Sequence, residues 1–231
     1  NEDLAQAFSW ALEIAQLSET LGFDEFWMAE HHFQPEGYEC IPNLMMLNLY
    51  LANHTKRIKF GCGFNITPMW HPLRLAEDFA MADILTGGRV IFGVGRGYHT
   101  REVETFGAPM LDADANRELF EEQVELILKA FNNPSFSHHG KHYDVPPNVS
   151  YRGEPMDEIT LVPRPLRTPV ECWQPIVSAN QRSLDFMARH GIKGLIGGGA
   201  AAGGAAEKVM LQWRDTLAAH GRDSALGHDL M

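Results

Sequence analysis

Glu30-His31-His32 sets one carboxyl and two imidazoles side by side, directly after the apolar run Phe23 to Met28. Histidine titrates at about pH 6.5, so it exchanges a proton near neutrality, and its ring nitrogens also bind metals. The pair therefore points to proton chemistry or a metal centre. The competing reading is one hydrogen-bonded core histidine. A second candidate is Gly93-Val94-Gly95-Arg96-Gly97. A dinucleotide fingerprint needs glycine at position 98 and a helix opening there; Tyr98 and a polar loop stand in its place, so that reading fails. Arg96 between two glycines suits a bidentate grip on a phosphate brought close to the backbone. The alternative for Arg96 is a surface salt bridge.

Weaker signals lie elsewhere. Ser178-Ala179-Asn180-Gln181-Arg182-Ser183 joins a strand to a helix. Ser178 or Asn180 can cap that helix, and free N–H groups at a helix start attract anions. Gly61-Cys62-Gly63-Phe64-Asn65 ends a strand with two glycines, which lets a planar ligand lie close. The Cys62 thiol reads as a small buried apolar group. His138, His139 and His142 are near one another, but no fourth ligand is evident, and a solvated turn is the favoured reading. Together the strand ends offer paired histidines, a permissive glycine strand, a phosphate-gripping arginine and a helix N-terminus. That set suits a planar, phosphorylated cofactor.

These groups need a scaffold of alternating strands and helices. Apolar periodicity predicts helices at 4–21, about 43–54, 71–85, about 114–131, 181–190 and 205–220. Strands are predicted at 23–29, 57–64, 89–94, 172–178 and 192–197. Gly95 to Asp112 reads as a long loop. Residues 132–170, rich in Pro, Gly and aromatics, read as an irregular insertion with short strands near His142–Val145 and Glu158–Val162. Alternation of this kind implies a parallel sheet, with active-site groups at its carboxyl end. A doubly wound sheet and an eight-stranded barrel both fit.

The 231 residues carry a formal net charge of −11. That balance argues against nucleic acid and against anionic lipid as partners. No apolar run approaches the roughly 20 residues that span a bilayer. Three scattered cysteines, Cys40, Cys62 and Cys172, fit a reducing cytoplasm better than a disulfide framework. The chain opens directly into a helical pattern and stops at Leu230-Met231 without a completing element, so a partial chain is expected.

The pieces AEHHF (29–33), GCGFNITPMWHPLRLAED (61–78), LTGGRVIFGVGRG (85–97), ITLVPRP (159–165) and PIVSANQRSLDFMARHG (175–191) occur in this order. In combination the chain resembles the bacterial luciferase-like flavin monooxygenases. The resemblance implies a (β/α)8 TIM barrel lacking strand 1 and strands 7–8 in this chain. Residues 1–231 would form a single partial barrel domain with the insertion at about 132–170, entering the seventh strand at His228–Met231. It implies reduced FMN as cofactor, or the deazaflavin F420 in some branches. His31 matches the family's catalytic histidine, with His32 as its neighbour and second candidate. Arg96 matches the arginine that holds the phosphate, and Arg117 would be a second. Ala179, Asn180 and Ser183 match the phosphate-binding turn. Gly63-Phe64 matches a peptide that is cis and packs under the flavin ring. Light-emitting members carry a reactive cysteine where this chain has Gly95, so monooxygenation without bioluminescence is expected. The implied partners are a small organic substrate and a separate NAD(P)H:flavin reductase, and a homo- or heterodimer is expected. An F420-dependent oxidoreductase and a non-catalytic flavin-binding relative are the alternatives.

Overall fold

The computed structural model describes residues 2–35, 40–178, 180–197 and 204–231. The first helix, α1 (Glu2–Leu21), leads into β1 (Glu25–Met28). Then come α2 (Leu44–Asn53), β2 (Lys59–Cys62), the two-residue β3 (Asn65–Ile66) and a 3-10 turn at Thr67–Met69. α3 (Pro72–Thr86) and β4 (Val90–Gly95) follow, then the short α4 (Thr100–Val103) and α5 (Ala113–Asn132). Two small hairpins, β5 (His138–His139) with β6 (Asp144–Val145) and β7 (Ser150–Tyr151) with β8 (Glu154–Pro155), precede β9 (Cys172–Ile176). The last elements are α6 (Gln181–His190), β10 (Lys193–Ile196) and α7 (Ala205–Ala219).

The main strands run parallel in the order β1-β2-β4-β9-β10, and β3 also pairs with β4. The result is an α/β fold with a curled, half-barrel sheet. All five main strands therefore end on the same side. Beyond β10, Leu230 bridges Gly194 in parallel, and the Met231 N–H donates to the Gly194 carbonyl at 2.9 Å.

Local chemistry sets the helix limits. The Asn43 side chain accepts the Met46 N–H to start α2, and the Asp112 side chain accepts those of Asp114 and Ala115 to start α5. Pro72 opens α3, and Gly87, at φ 66°, closes it in the left-handed region. One face of the sheet meets the helices. There Phe79 of α3, Phe92 of β4 and Phe131 of α5 lock together with centroids 4.8–5.2 Å apart. Each such buried ring contributes roughly 1.5–3 kcal/mol. On the other face Trp27 stands opposite Gly61, and two residues further along β4 Gly93 stands opposite Trp173. A Cβ at Gly61 would lie 2.1 Å from the Trp27 ring, so glycine there is what admits the indole. Trp27 and Trp173 then meet edge to face at 5.8 Å and fill the inner side of the sheet.

Three segments differ from the sequence-based expectation. The strand expected at 57–64 is β2 at Lys59–Cys62, and the chain passes a cis Gly63–Phe64 peptide before β3 begins. The 95–112 loop folds one helical turn, α4. The strand expected at Glu158–Val162 reduces to one antiparallel bridge, Phe136 with Ile159. Pro163 and Pro165 follow it, and without N–H groups they cannot extend a ladder. Among the described residues no helix is long and apolar enough to cross a membrane.

Candidate active site

At the carboxyl end of the sheet lies a cleft of about 350 Å³. Each side is a strand end. The stretch after β1 supplies Ala29, Glu30 and His31, and the segment after β2 supplies Gly63 and Phe64. From the end of β4 come Arg96 and Tyr98, from α5 Arg117, and from β9 and α6 Gln174, Asn180 and Ser183. Of the residues singled out in the sequence, His31, Gly63, Phe64, Arg96, Arg117, Asn180 and Ser183 thus meet in one place. Ala179 lies outside the described residues. His32 does not line this cleft; it lines, together with His31, a shallow groove beside Phe33, Pro35 and Pro42.

The two neighbouring imidazoles are held by different carboxylates. His31 Nδ1 donates to Glu102 of α4 at 3.1 Å, and its Nε2 lies 3.2 Å from the Tyr98 hydroxyl. His32 Nε2 donates to Glu30 at 2.9 Å. Glu30 also accepts the Ile66 N–H and the Trp70 indole N–H, so it ties the end of β1 to the segment that carries Gly63–Phe64. Both glutamates are buried. Burial pushes the Glu102 carboxyl pKa up, but hydrogen bonds from the His32 backbone N–H, Gln34 and His31 outweigh it and hold the pKa below the ordinary value. Glu102 is therefore a carboxylate at neutral pH.

The ligand atoms of His31, His99 and Glu102 lie within 4.8 Å of one another, close enough to hold a metal ion. The oxygens of Glu102 already accept three N–H donors, which makes the cluster a hydrogen-bonded one. Among the described residues, the sequence cluster His138, His139 and His142 does not converge in this way. His138 pairs with Glu122 and His139 with Asp144, and Glu122 accepts the N–H groups of Lys141, His142 and Tyr143 to fold the turn.

The opposite end of the cleft is cationic. Arg96 is half-buried and braced by Asn116, which accepts from its Nη1 at 3.2 Å and donates back to its carbonyl. Burial, and then the charges of Arg117 and Arg182, push its pKa down, partly offset by Glu121. Arg182 is matched by a two-point bridge to Glu121. Asn180 caps α6 by accepting the Ser183 N–H at 3.2 Å. Gln174 donates to the Ser183 hydroxyl at 3.0 Å, which leaves that O–H free to turn toward the cleft. The Gln174 amide oxygen is buried and finds no hydrogen-bond partner among the described residues.

Sequence reasoning missed Glu102, Tyr98 and Gln174. Glu102 is 71 residues from its partner His31 and sits in a stretch that reads as loop, so spacing carried no signal for it.

Comparison with known proteins fits this geometry. Residues 2–230 match the family described as luciferase-like monooxygenase. The protein y4vJ of Sinorhizobium fredii is 33% identical over 139 residues, which cover 60% of this chain and 38% of that protein. The oxygenase component of flavin-dependent trigonelline monooxygenase from Acinetobacter baylyi is 27% identical over 187 residues, or 80% of this chain and 47% of that protein. The chain thus spans less than half the length of these curated relatives. Monooxygenase RslO1 from Streptomyces bottropensis superimposes with TM-score 0.83 at 24% identity, covering 98% of this chain and 64% of that one. The oxygenating constituent of 3,6-diketocamphane monooxygenase from Pseudomonas putida, solved with FMN, gives 0.76 at 21% identity, covering 98% and 60%. An F420-dependent secondary alcohol dehydrogenase gives 0.72 at 17% identity, covering 94% and 62%. At these identities the structural likeness speaks for the fold. The family match, by contrast, runs over nearly every residue, and on that ground the chain belongs to the luciferase-like monooxygenase family.

Proposed function

We propose that this chain forms the flavin-binding and catalytic part of a monooxygenase that uses reduced FMN and O2 to oxidise a small organic substrate. The supporting observation is the convergence of a cationic, helix-capped end and a histidine–carboxylate end on one cleft. A flavin mononucleotide needs both: an anion site for its phosphate and a walled slot for its ring. The residues fit the group. Arg96, Arg117, the Ser183 hydroxyl and the N–H groups at the start of α6 would take the phosphate. The unpartnered Gln174 oxygen, next to Ser183, would accept a hydroxyl of the ribityl chain. The flat backbone at Gly63–Phe64 would back the ring.

Bound reduced FMN supplies the electrons and the oxygen reactivity. The chain's own residues bind, orient and move protons. His31, on the cleft wall, would act through Nε2 as the general base toward the reacting group. His32, bound to Glu30, would hold the segment in place. Reduced FMN would come from a separate NAD(P)H:flavin reductase, in keeping with a relative that is itself an oxygenase component.

Anaerobic titration of the protein with reduced FMN, followed by O2 and mass spectrometry of a substrate panel, tests this reading. Saturable binding and an oxygenated product are expected. A deazaflavin reading keeps the same phosphate end and replaces O2 chemistry with hydride transfer; selective binding of F420 in that titration would choose it. Failure to bind either flavin would remove the reading altogether.

A further inference from the structure

We infer that Glu102 is a positioning residue that sets the tautomer of His31 and aims its Nε2 lone pair into the cleft. The inference rests on the reading of His31 as the base, and it concerns how that base is made. An ionised carboxylate can only accept hydrogen bonds. Glu102 faces His31 Nδ1 at 3.1 and 3.4 Å from its two oxygens, so that nitrogen must carry the proton. A neutral imidazole has one N–H and one lone pair, and the lone pair is then on Nε2. Nε2 points to the Tyr98 hydroxyl at 3.2 Å, at the lip of the cleft.

The geometry draws a chain from the Tyr98 hydroxyl through His31 to Glu102. The Tyr98 O–H donates to Nε2 and marks the place of a reacting proton. When Nε2 takes a proton from substrate, the imidazolium formed is held by the carboxylate on its far side. The Glu102 oxygens cannot swing away, because Gln34 Nε2 at 3.3 Å and the His32 backbone N–H hold them as well. Tyr98, His99 and Glu102 face His31, and Glu30 and Arg96 line the same cleft. Helix α4, which carries Glu102, is four residues long and exists in a stretch that the sequence presents as loop. Its place against the end of β1 gives this short helix a purpose beyond connecting β4 to α5.

The test is nitrogen-15 NMR of the histidine side chains in the flavin-free protein, with His31→Gln used to assign the His31 signals. The wild type should show the Nδ1–H tautomer of His31. Glu102→Gln, whose amide can donate as well as accept, should mix the tautomers. Glu102→Asp should restore most of the Nδ1–H form. A merely structural role for Glu102 would change the melting temperature and leave the His31 tautomer alone. An Nε2–H tautomer in the wild type overturns the inference even where the variants fail to fold. Unchanged His31 signals in Glu102→Gln overturn it too. So does a metal-bound His31 Nδ1 signal on addition of Zn²⁺ alone. Full turnover by His31→Ala would defeat the base reading, and the tautomer measurement would still decide the positioning claim by itself.

Discussion

His31 and His32 are adjacent, both buried, and both hydrogen-bonded to a buried glutamate, yet their surroundings differ in kind. The partner of His32 is two residues away, and that same carboxylate gathers the Ile66 N–H and the Trp70 indole. Both Glu30 oxygens are spent on joining the end of β1 to the chain around β3. The partner of His31 comes from 71 residues further along, and the remaining ring nitrogen faces a cleft. The first network joins two parts of the backbone, whereas the second holds a histidine on the wall of the cleft. Identical residue types at consecutive positions therefore have different carboxylate partners, and of the two only His31 lines the cleft.

The comparison breaks most sharply on turnover. His31→Ala should lower coupled turnover by ~10²–10⁴-fold, the usual contribution of a general acid or base. Reduced-flavin affinity should change little, since Arg96 and the start of α6 are untouched. His32→Ala should cost less in turnover and more in melting temperature. Product yield per flavin, measured for both variants beside their thermal melts, checks this; the reverse pattern would exchange the two roles.

Glu30→Ala attacks the saturated network. It leaves three N–H donors, two of them buried, without their acceptor, and breaking a buried charged network of this sort costs on the order of 3–5 kcal/mol. Urea unfolding should show that loss. A loss below about 1 kcal/mol, the scale of a single ordinary hydrogen bond, would mean that water readily replaces the carboxylate.

Arg96→Ala probes the far end of the cleft. Only FMN offers a phosphate, so FMN binding should weaken by roughly 1.5–3 kcal/mol, the size of a charge-assisted contact, while riboflavin binding barely changes. Equal loss for both flavins would take Arg96 out of the phosphate site.

Acid should separate the glutamates further. The Glu102 carboxyl has its pKa lowered in the folded protein from an ordinary 4.5. Its contribution to stability is complete above the unfolded value and is lost as pH falls through the folded one. The stability gap between wild type and Glu102→Gln should therefore be constant near neutrality and narrow below about pH 4.5. A gap that instead grows on acidification would show the carboxyl to be protonated in the native state.

The smallest effect is a labelling pattern. Burial, with a further push from Glu30, raises the Cys62 thiol to about 12, and burial raises that of Cys172 as well. Both should resist alkylation at pH 8 in the native protein, whereas the half-buried Cys40 should react. Labelling of Cys62 in the Glu30→Ala protein would report that the region has opened.

Much of the framework was legible without coordinates. Apolar periodicity, the Asn43 and Asp112 caps and the Gly87 stop predict the helices because those signals act within a few residues. The same holds for the strand ends and for the residue types that gather there, His31, Arg96 and the Asn180–Ser183 turn. What a carboxylate 71 residues away would do was not written in any local pattern. Only the parallel sheet, by ending all its main strands on one side, brings α4 to the end of β1 and lets Glu102 reach His31. The separate carboxylate partners of His31 and His32, the end of β2 at Cys62 and the reduction of 158–162 to a single bridge were likewise settled in three dimensions. The physical reason is the range of the forces. Propensity and capping act along the chain, whereas burial and hydrogen-bond saturation depend on what the fold brings alongside.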